Sequence, residues 1–264
     1  MHDFSTRTDR PELLDIGNVP DTEVRRSLDD LRWINKYSGT RNMLLRALSI
    51  QVARHNLTEF SLLDVASGSC DLPSSVIDWT QRRKLKIRVF ALEYQHRHLR
   101  LFSNELAAYR NLHAFCANAL SAPLSKNCVD FVTCSHFIHH LTESQAAQLL
   151  WCMHQWARFA VIVTDHERHP VPYYFFRAFS RLFTRSSVTR TDGLISLEKS
   201  FTKSELERIA ESAGLVTYRV ERHWPFQLIL IAESRAHPIA TTTVSTESSL
   251  CVSSDRAVTI AHRP

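Results

Sequence analysis

The stretch that decides the fold runs from Leu63 to Leu72 and has the sequence LDVASGSCDL. It continues the apolar run FSLLDV of residues 60–65, which predicts a buried strand, and a helical pattern begins at Leu72. Between them lies a turn of small residues, which lets the backbone approach a ligand closely. The N-terminus of the following helix offers unpaired N–H groups. The stretch therefore predicts a ligand-binding turn in an α/β fold.

Strand and helix patterns alternate after this turn. Further strands are predicted over residues 86–92, 112–116, 128–135 and 159–164, and a capped helix then leads into two close strands around Trp224-Pro225. We expect a helix over residues 95–109 between the second and third strands. Alternation of this kind predicts a doubly wound, mostly parallel sheet of seven strands, in which the terminal hairpin supplies an antiparallel last strand.

Regions with other patterns flank this alternation. Residues 22–57 have a helical period that is interrupted at Ser38-Gly39, which predicts two helices. Serine and threonine occupy nine of the fourteen positions from 241 to 254, a composition that predicts disorder. We expect an N-terminal helical cap over residues 1–57, a ligand-binding α/β domain over residues 58–235 and a disordered tail over residues 236–264.

The composition excludes several classes of protein. The 264 residues are 44% hydrophobic and 22% charged, and five glycines are too few for a collagen-like chain. The net charge is +5 and the sequence has no long run of basic residues, so nucleic acid is not an expected partner. The six cysteines form no C-x-x-C pair, and no apolar run is long enough to span a bilayer. We expect a reduced cytoplasmic protein without stable membrane insertion; its oligomeric state stays open.

An acidic side chain, Glu93, closes the second predicted strand. A carboxylate at the second strand end can accept hydrogen bonds from two ribose hydroxyls. Because ligands bind at the carboxyl ends of parallel strands, this position and the turn after the first strand predict a nucleotide-like ligand.

In this order the residues resemble the motifs of class I S-adenosylmethionine-dependent methyltransferases. The resemblance covers residues 60–165. Residues 64–70 resemble the family's D-x-G-x-G-x-G motif, in which Asp64 and Gly68 match while Ala66 and Cys70 replace the outer glycines. The resemblance implies a Rossmann-like fold with S-adenosylmethionine as cofactor. It implies these cofactor-binding residues: Asp64, Ala66, Gly68, Cys70, Glu93, Tyr94, Asn118, Ala119 and Ser135.

Two flanking segments resemble bacterial methyltransferases of the ubiquinone/menaquinone type, namely residues 28–41 and 188–201. This resemblance implies an aromatic, quinone-like or polyketide-like acceptor that is methylated on oxygen or carbon. The aromatic segment 171–183 either lines the acceptor pocket or packs in the core, and Tyr174 is its candidate substrate-binding residue. Arg190 and Asp192 either orient a polar group of the acceptor or form a turn beside Gly193.

Three histidines follow the fourth strand, and His139-His140 resembles a histidine pair of the same family. Either could be a general base, because imidazole titrates near neutral pH; the alternative is a histidine that packs against the pocket. No metal site is expected, because no cysteine or glutamate accompanies the histidines in this segment and the segment is predicted to be a loop.

Two other functions remain as alternatives. A dinucleotide-dependent oxidoreductase would carry a G-x-G-x-x-G turn, which residues 66–71 do not spell. A non-catalytic binding module could have kept the fold while losing the outer glycines. Methylation of nucleic acid is disfavoured, because residues 135–138 are SHFI where such enzymes often have a (D/N)-P-P-(Y/F/W) motif.

Overall fold

The computed structural model describes residues 3–234 and the two-residue strand Val258–Thr259. The strands are β1 (Glu59–Val65), β2 (Lys86–Glu93), β3 (Leu112–Cys116), β4 (Val129–Ser135), β5 (Ala157–His166), β6 (Tyr218–His223), β7 (Gln227–Glu233) and β8 (Val258–Thr259). They form one sheet in the order β6-β7-β5-β4-β1-β2-β3-β8. Strands β1 to β5 are parallel, and β7 lies antiparallel between β5 and β6.

This topology confirms the doubly wound, mostly parallel sheet of seven strands with an antiparallel last strand. The short β8 adds an eighth, antiparallel strand beside β3. Apart from β8, the tail predicted over residues 236–264 lies outside the described residues.

The helices lie before the sheet, between its strands and after β5. They are α1 (Leu13–Ile16), α2 (Asp21–Tyr37), α3 (Thr40–Arg54), α4 (Asp71–Arg82), α5 (His96–Leu101), α6 (Ser103–Leu106), α7 (Glu143–Trp156), α8 (Pro170–Phe183), α9 (Ser187–Lys199) and α10 (Lys203–Ser212). The single helix predicted over residues 95–109 is wrong, since it breaks at Phe102. That side chain is fully buried against Val24 and Leu28 of α2.

The core has two layers, one on each face of the sheet. Side chains alternate along β1, so that Leu62 packs with α3 and α4 while Leu63 packs with α7 and α10. Burial on both faces explains why the central strands are almost continuously apolar rather than alternating. In the part of the chain that the structure describes, no helix is both long and apolar enough to cross a bilayer.

Helix α9 replaces the turn that was one alternative for residues 188–193. Gly193 lies inside this helix, where a Cβ atom would come within 2.5 Å of the Phe176 ring of α8. The glycine therefore permits close packing of two helices and does not mark a turn. Asp30 of α2 ties the same pair to the N-terminal helices, because its carboxylate accepts hydrogen bonds from the backbone N–H groups of Arg185 and Ser186.

Candidate active site

A cavity of about 860 Å³ lies along the carboxyl ends of the parallel strands. Ligand sites in proteins typically enclose about 300–1,000 Å³, so this one is large. One end is lined by the turn after β1 and by the residues that follow β2 and β3. The other end is lined by aromatic side chains of α2 and α8. The wall at the strand ends includes Asp64, Ala66, Gly68, Glu93, Tyr94, Asn118, Ala119 and Ser135.

The turn after β1 has the backbone of a glycine-rich loop although it contains one glycine. Ala66, Gly68 and Cys70 all have left-handed φ angles, of +57°, +52° and +57°. The backbone N–H of Ser67 donates to the Leu92 carbonyl at 3.1 Å, which holds the turn against β2. Loss of the outer glycines therefore leaves the loop conformation in place. A residue other than glycine with a left-handed φ angle is strained by about 1–2 kcal/mol.

Glu93 joins the end of β2 to this turn. Its Oε2 accepts the backbone N–H of Gly68 at 2.8 Å, and its Oε1 accepts that of Gln95 at 2.8 Å. The carboxylate is buried but borders the cavity, as a residue that binds ribose hydroxyls would. The predicted role of Glu93 is compatible with this position.

Asp64 is a buried carboxyl group at the end of β1. Only 3% of the residue is exposed, and its Oδ1 accepts a hydrogen bond from Thr133 Oγ1 at 2.6 Å. Burial raises the pKa of Asp64 to about 7, against the opposing effect of the Thr133 hydrogen bond. The side chain is therefore fixed against β4 at the floor of the cavity.

The remaining predicted cofactor residues differ in their environment. The Oδ1 atom of Asn118 accepts the backbone N–H of Leu120 at 3.0 Å, so part of its acceptor capacity is used locally. Ser135 Oγ accepts from Thr164 Oγ1 at 2.9 Å. Cys70 does not line the cavity: its side chain is fully buried among core residues below the turn, and burial raises the pKa of its thiol.

The aromatic end of the cavity is built from two helices. Trp33 of α2 stacks on Phe183 of α8, with ring centroids 5.7 Å apart and an interplanar angle of 13°. Phe175 and Phe176 face the cavity from the same helix. The interpretation of segment 171–183 as a pocket wall thus holds for these phenylalanines.

Tyr174 and Arg190 do not line the cavity. Tyr174 lies on another face of α8, where its ring centroid is 6.3 Å from that of Phe4 and the residue is 41% exposed. Helical periodicity explains the difference, because residues one position apart point in directions about 100° apart. Arg190 donates to the Thr184 carbonyl at 3.3 Å instead of facing the cavity.

Asp192 has a structural contact that the sequence did not reveal. Its carboxylate oxygens accept the backbone N–H groups of Leu13 at 2.7 Å and Leu14 at 3.1 Å, and so cap helix α1. Burial, together with the charges of Glu12 and Asp15, raises the pKa of Asp192 to about 6. The cap places Glu12 and Asp15 of the N-terminal segment over the histidines.

Two arginines hold the N-terminal segment in the same position. Arg7 donates to the carbonyls of Lys199 at 2.5 Å and His139 at 2.7 Å. Arg168, which is buried, donates to the Phe4 carbonyl at 2.9 Å and forms an ion pair with Glu205 at 2.7 Å. Residues 4–15 are therefore attached to segments that lie between His139 and Glu205.

His139 is buried between two carboxylates. Its Nδ1 lies 2.7 Å from Asp165 Oδ1, and its Nε2 lies 3.6 Å from Glu12 Oε1. Burial lowers the pKa of His139, because it disfavours the charged ring. The negative charges of Asp165 and Glu12 and the hydrogen bond with Asp165 outweigh burial and raise the pKa to about 9. In this state the ring is protonated at neutral pH, whereas a general base must be neutral.

His140 has the same arrangement on a neighbouring pair of carboxylates. Its Nδ1 lies 2.9 Å from Asp15 Oδ2 and its Nε2 lies 3.7 Å from Glu12 Oε2. Residues 138–140 form a 3₁₀ turn where a loop was predicted. No glutamate lies in the histidines' own segment, but Glu12 reaches both of them from far away in the sequence, a contact that was not predicted.

Four residues around His139 and His140 were not predicted from the sequence: Glu12, Asp15, Asp165 and His166. Asp165 and His166 end β5, so the rule that ligands bind at strand ends could have found them. His166 lies beside His136, with ring centroids 4.2 Å apart, and burial together with the charge of His136 holds its pKa well below the usual range. Glu12 and Asp15 lie in a segment without periodicity, and nothing local marks them.

Comparisons with known proteins identify the fold. Residues 63–158 match a family model described as a methyltransferase domain. No curated protein matches the sequence. The structure resembles a SAM-dependent methyltransferase from Aquifex aeolicus, with 15% identity, 82% of this chain and 99% of the other covered, and a TM-score of 0.55.

Two further solved structures have the same fold. The DszA carbon methyltransferase is 13% identical over 83% of this chain and 61% of its own, with a TM-score of 0.62. A magnesium protoporphyrin IX methyltransferase from Synechocystis PCC 6803, with SAH bound, is 15% identical over 74% of this chain and 84% of its own, with a TM-score of 0.50. Residues 63–158 are thus similar to a methyltransferase domain, and the chain has the class I fold of S-adenosylmethionine-dependent methyltransferases.

Proposed function

We propose that the chain methylates a small aromatic, quinone-like or polyketide-like molecule bound between α2 and α8. The observation that carries the proposal is the continuous cavity that runs from the strand-end turn to the aromatic wall. One continuous space of this size can hold cofactor and acceptor side by side, and positioning two reactants is itself a large part of catalysis.

The strand-end residues fit the cofactor. The turn exposes its backbone to the cavity at Ala66 and Gly68, and the carboxyl groups of Asp64 and Glu93 border the same space. When bound there, S-adenosylmethionine supplies a methyl group on a positively charged sulfur. We assign Glu93 to the ribose hydroxyls and Asn118 to the adenine end. Asp64 fixes the floor through its hydrogen bond with Thr133.

The aromatic wall supports a flat, apolar acceptor. Rings such as those of Trp33, Phe175 and Phe176 offer faces and edges on which another ring packs. Solved structures with this fold include carbon methyltransferases and a magnesium protoporphyrin IX methyltransferase, and a porphyrin is itself a flat ring system. The proposal covers methylation on oxygen and on carbon.

We place the acceptor's reacting atom next to His139 and His140. His139 and His140 follow Ser135 by a few residues and face the cavity between the cofactor end and α8. His140 is the more accessible of the two, with 20% of its side chain exposed against 2% for His139. We assign His140 to contact with the acceptor and His139 to positioning.

Titration calorimetry with S-adenosylhomocysteine tests the cofactor assignment. Wild type should bind, and Glu93→Gln should bind at least tenfold more weakly because one ribose acceptor is lost. Glu59→Gln is the control, since Glu59 is an exposed acid at the opposite end of the sheet. Equal affinity of all three proteins would contradict the assignment.

Transfer of a labelled methyl group to a panel of phenols, quinols and β-ketothioesters tests the acceptor class. Product with at least one of these classes is the expected result. Tight binding of S-adenosylhomocysteine without transfer to any of them would favour the non-catalytic module. Binding of NAD in its place would favour the oxidoreductase.

We also propose a cytoplasmic location. The described cysteines, Cys70, Cys116, Cys128, Cys134 and Cys152, are all free thiols. Free thiols of this number are typical of reducing compartments. Fractionation of expressing cells, with detection of the untagged protein, tests this location.

A further inference from the structure

Glu12, His139 and His140 line the cavity and bring together three atoms that could bind a metal ion. The Nε2 atoms of the two histidines lie 3.6 Å and 3.7 Å from the two oxygens of the Glu12 carboxylate. All the ligand atoms lie within 4.8 Å of one another. Two nitrogen or oxygen ligands on a tetrahedral Zn²⁺ stand about 3.4 Å apart. The separations of 3.6 Å and 3.7 Å are close to this value, and a separation as wide as 4.8 Å would shorten when the side chains close on an ion.

The opposite nitrogen of each ring is held by a carboxylate. Nδ1 of His139 lies 2.7 Å from Asp165, and Nδ1 of His140 lies 2.9 Å from Asp15. A histidine that binds a metal usually donates its other N–H to a carboxylate, which fixes the tautomer and turns the free lone pair toward the ion. In both histidines Nδ1 faces the outer carboxylate and Nε2 faces Glu12. An ion that binds at Nε2 of His139 displaces the proton that this nitrogen carries in the charged ring, and the proton is released to solvent.

Direct hydrogen bonds leave one buried atom of the cluster without a partner. Nε2 of His139 is buried and has no hydrogen-bond partner, because 3.6 Å to Glu12 is beyond hydrogen-bond length. Leaving a buried polar atom unpaired destabilises a protein by about 1–3 kcal/mol. An ion between the three side chains gives this nitrogen a partner, next to the hydrogen bond that Ser196 Oγ already donates to Glu12 Oε1 at 2.9 Å.

We propose that Glu12, His139 and His140 bind a divalent transition metal ion, with Zn²⁺ as the best match to two imidazoles and one carboxylate. Three protein ligands leave one position of a tetrahedron for an outside ligand, as in catalytic zinc sites. All three residues line the cavity, so that position opens toward it. Water fills it in the free enzyme. That an oxygen of the acceptor replaces this water rests on the proposed function.

Metal content is measured on untagged protein that has been stripped with chelator, dialysed against Zn²⁺ and passed through a desalting column. We expect one Zn²⁺ per wild-type chain. Glu12→Gln and His140→Ala should each retain at least tenfold less. His113→Ala is the control, because His113 is an exposed histidine of β3.

A second pair of variants tests the carboxylate behind His140. Asp15→Asn should bind Zn²⁺ about 10–100-fold more weakly, the usual effect of removing such a partner. Asp9→Asn, a change on the exposed part of the same segment, should leave affinity unchanged. Titration with Co²⁺ should give visible absorption bands of a tetrahedral ion in wild type and not in Glu12→Gln.

Wild-type protein that retains no Zn²⁺, or Glu12→Gln and His140→Ala variants that retain as much as wild type, would overturn the proposal. Thermal melts of each variant establish that it is folded. These measurements need no methyl transfer. A protein that binds Zn²⁺ but methylates nothing therefore contradicts the proposed function alone. A protein that transfers methyl groups but binds no Zn²⁺ contradicts the metal site alone.

Discussion

Ala66 has a left-handed backbone conformation, which strains the turn after β1. Glycine at this position removes about 1–2 kcal/mol of that strain and gives back about 0.5–1 kcal/mol through the greater freedom of the unfolded chain. Ala66→Gly should therefore raise the free energy of unfolding by about 0.5–1 kcal/mol. Urea denaturation measures the change.

The control for this substitution is Ala53→Gly in α3, where the alanine has helical backbone. Here glycine should lower the free energy of unfolding by up to about 1 kcal/mol. Loss of stability in both variants would show that Ala66 carries no strain. Cys70 is less suitable for the test, since its sulfur packs in the core and glycine would leave a void.

Asp64 makes stability depend on pH. Its pKa is about 7 in the folded chain, against 3.8 for an ordinary aspartate, so between these values the folded state binds more protons than the unfolded state. The free energy of unfolding should therefore fall as pH rises from 4 to 7, by roughly 4 kcal/mol from this group. Asp64→Asn removes the titration and keeps an oxygen that can accept from Thr133.

Urea unfolding of both proteins at pH 5 and pH 8 measures this effect. The Asp64→Asn variant should gain stability relative to wild type as pH rises. Parallel pH profiles of the two proteins would contradict the raised pKa.

At the scale of elements, the contact between α8 and α9 depends on Gly193. Alanine in place of glycine inside a helix ordinarily stabilises it by about 1 kcal/mol. Here the added Cβ would lie 2.5 Å from Phe176, so we expect Gly193→Ala to destabilise the fold by about 1–3 kcal/mol. The reversed sign is the distinctive result, and urea denaturation measures it.

A double-mutant cycle with Phe176→Leu isolates the contact. The smaller side chain should recover part of the loss, with a coupling energy of about 1 kcal/mol or more. Additive effects would show that the two helices do not meet through this pair.

Helices α8 and α9 also show where sequence patterns lose precision. The aromatic segment 171–183 lies in helix α8. Which ring faces the cavity depends on the rotation of α8 about its axis. That rotation is set by packing against α2 and α9, which no local pattern encodes. Phe175 and Phe176 therefore occupy the wall where Tyr174 was expected.

At the scale of the whole molecule, cofactor binding should stabilise the complete fold. A ligand at 100 times its Kd adds about 2.7 kcal/mol when it binds only the folded state. For a chain of this size that corresponds to a rise in Tm of about 5 °C or more. S-adenosylhomocysteine should produce this shift and NAD should not, as measured by differential scanning fluorimetry. An equal shift with NAD would favour the oxidoreductase.

The sheet was predictable because each strand has its own local periodicity and the parallel topology follows from alternation with helices. Asp64 and Glu93 were predictable because strand ends fix them. The contact between Glu12 and His139 was not, since these residues are 127 positions apart and meet only when the chain has folded. Contacts of that separation leave no trace in a local pattern.

The attachment of residues 4–15 by Arg7 and Arg168 sets the order in which the molecule can mature during synthesis. The first of these residues leave the ribosome long before Lys199 and Glu205, on which their anchors depend. Closing so long a loop is entropically unfavourable, and it becomes possible only after the sheet exists. The N-terminal segment should therefore dock among the last steps, so that a nascent chain has its cofactor turn before it has Glu12.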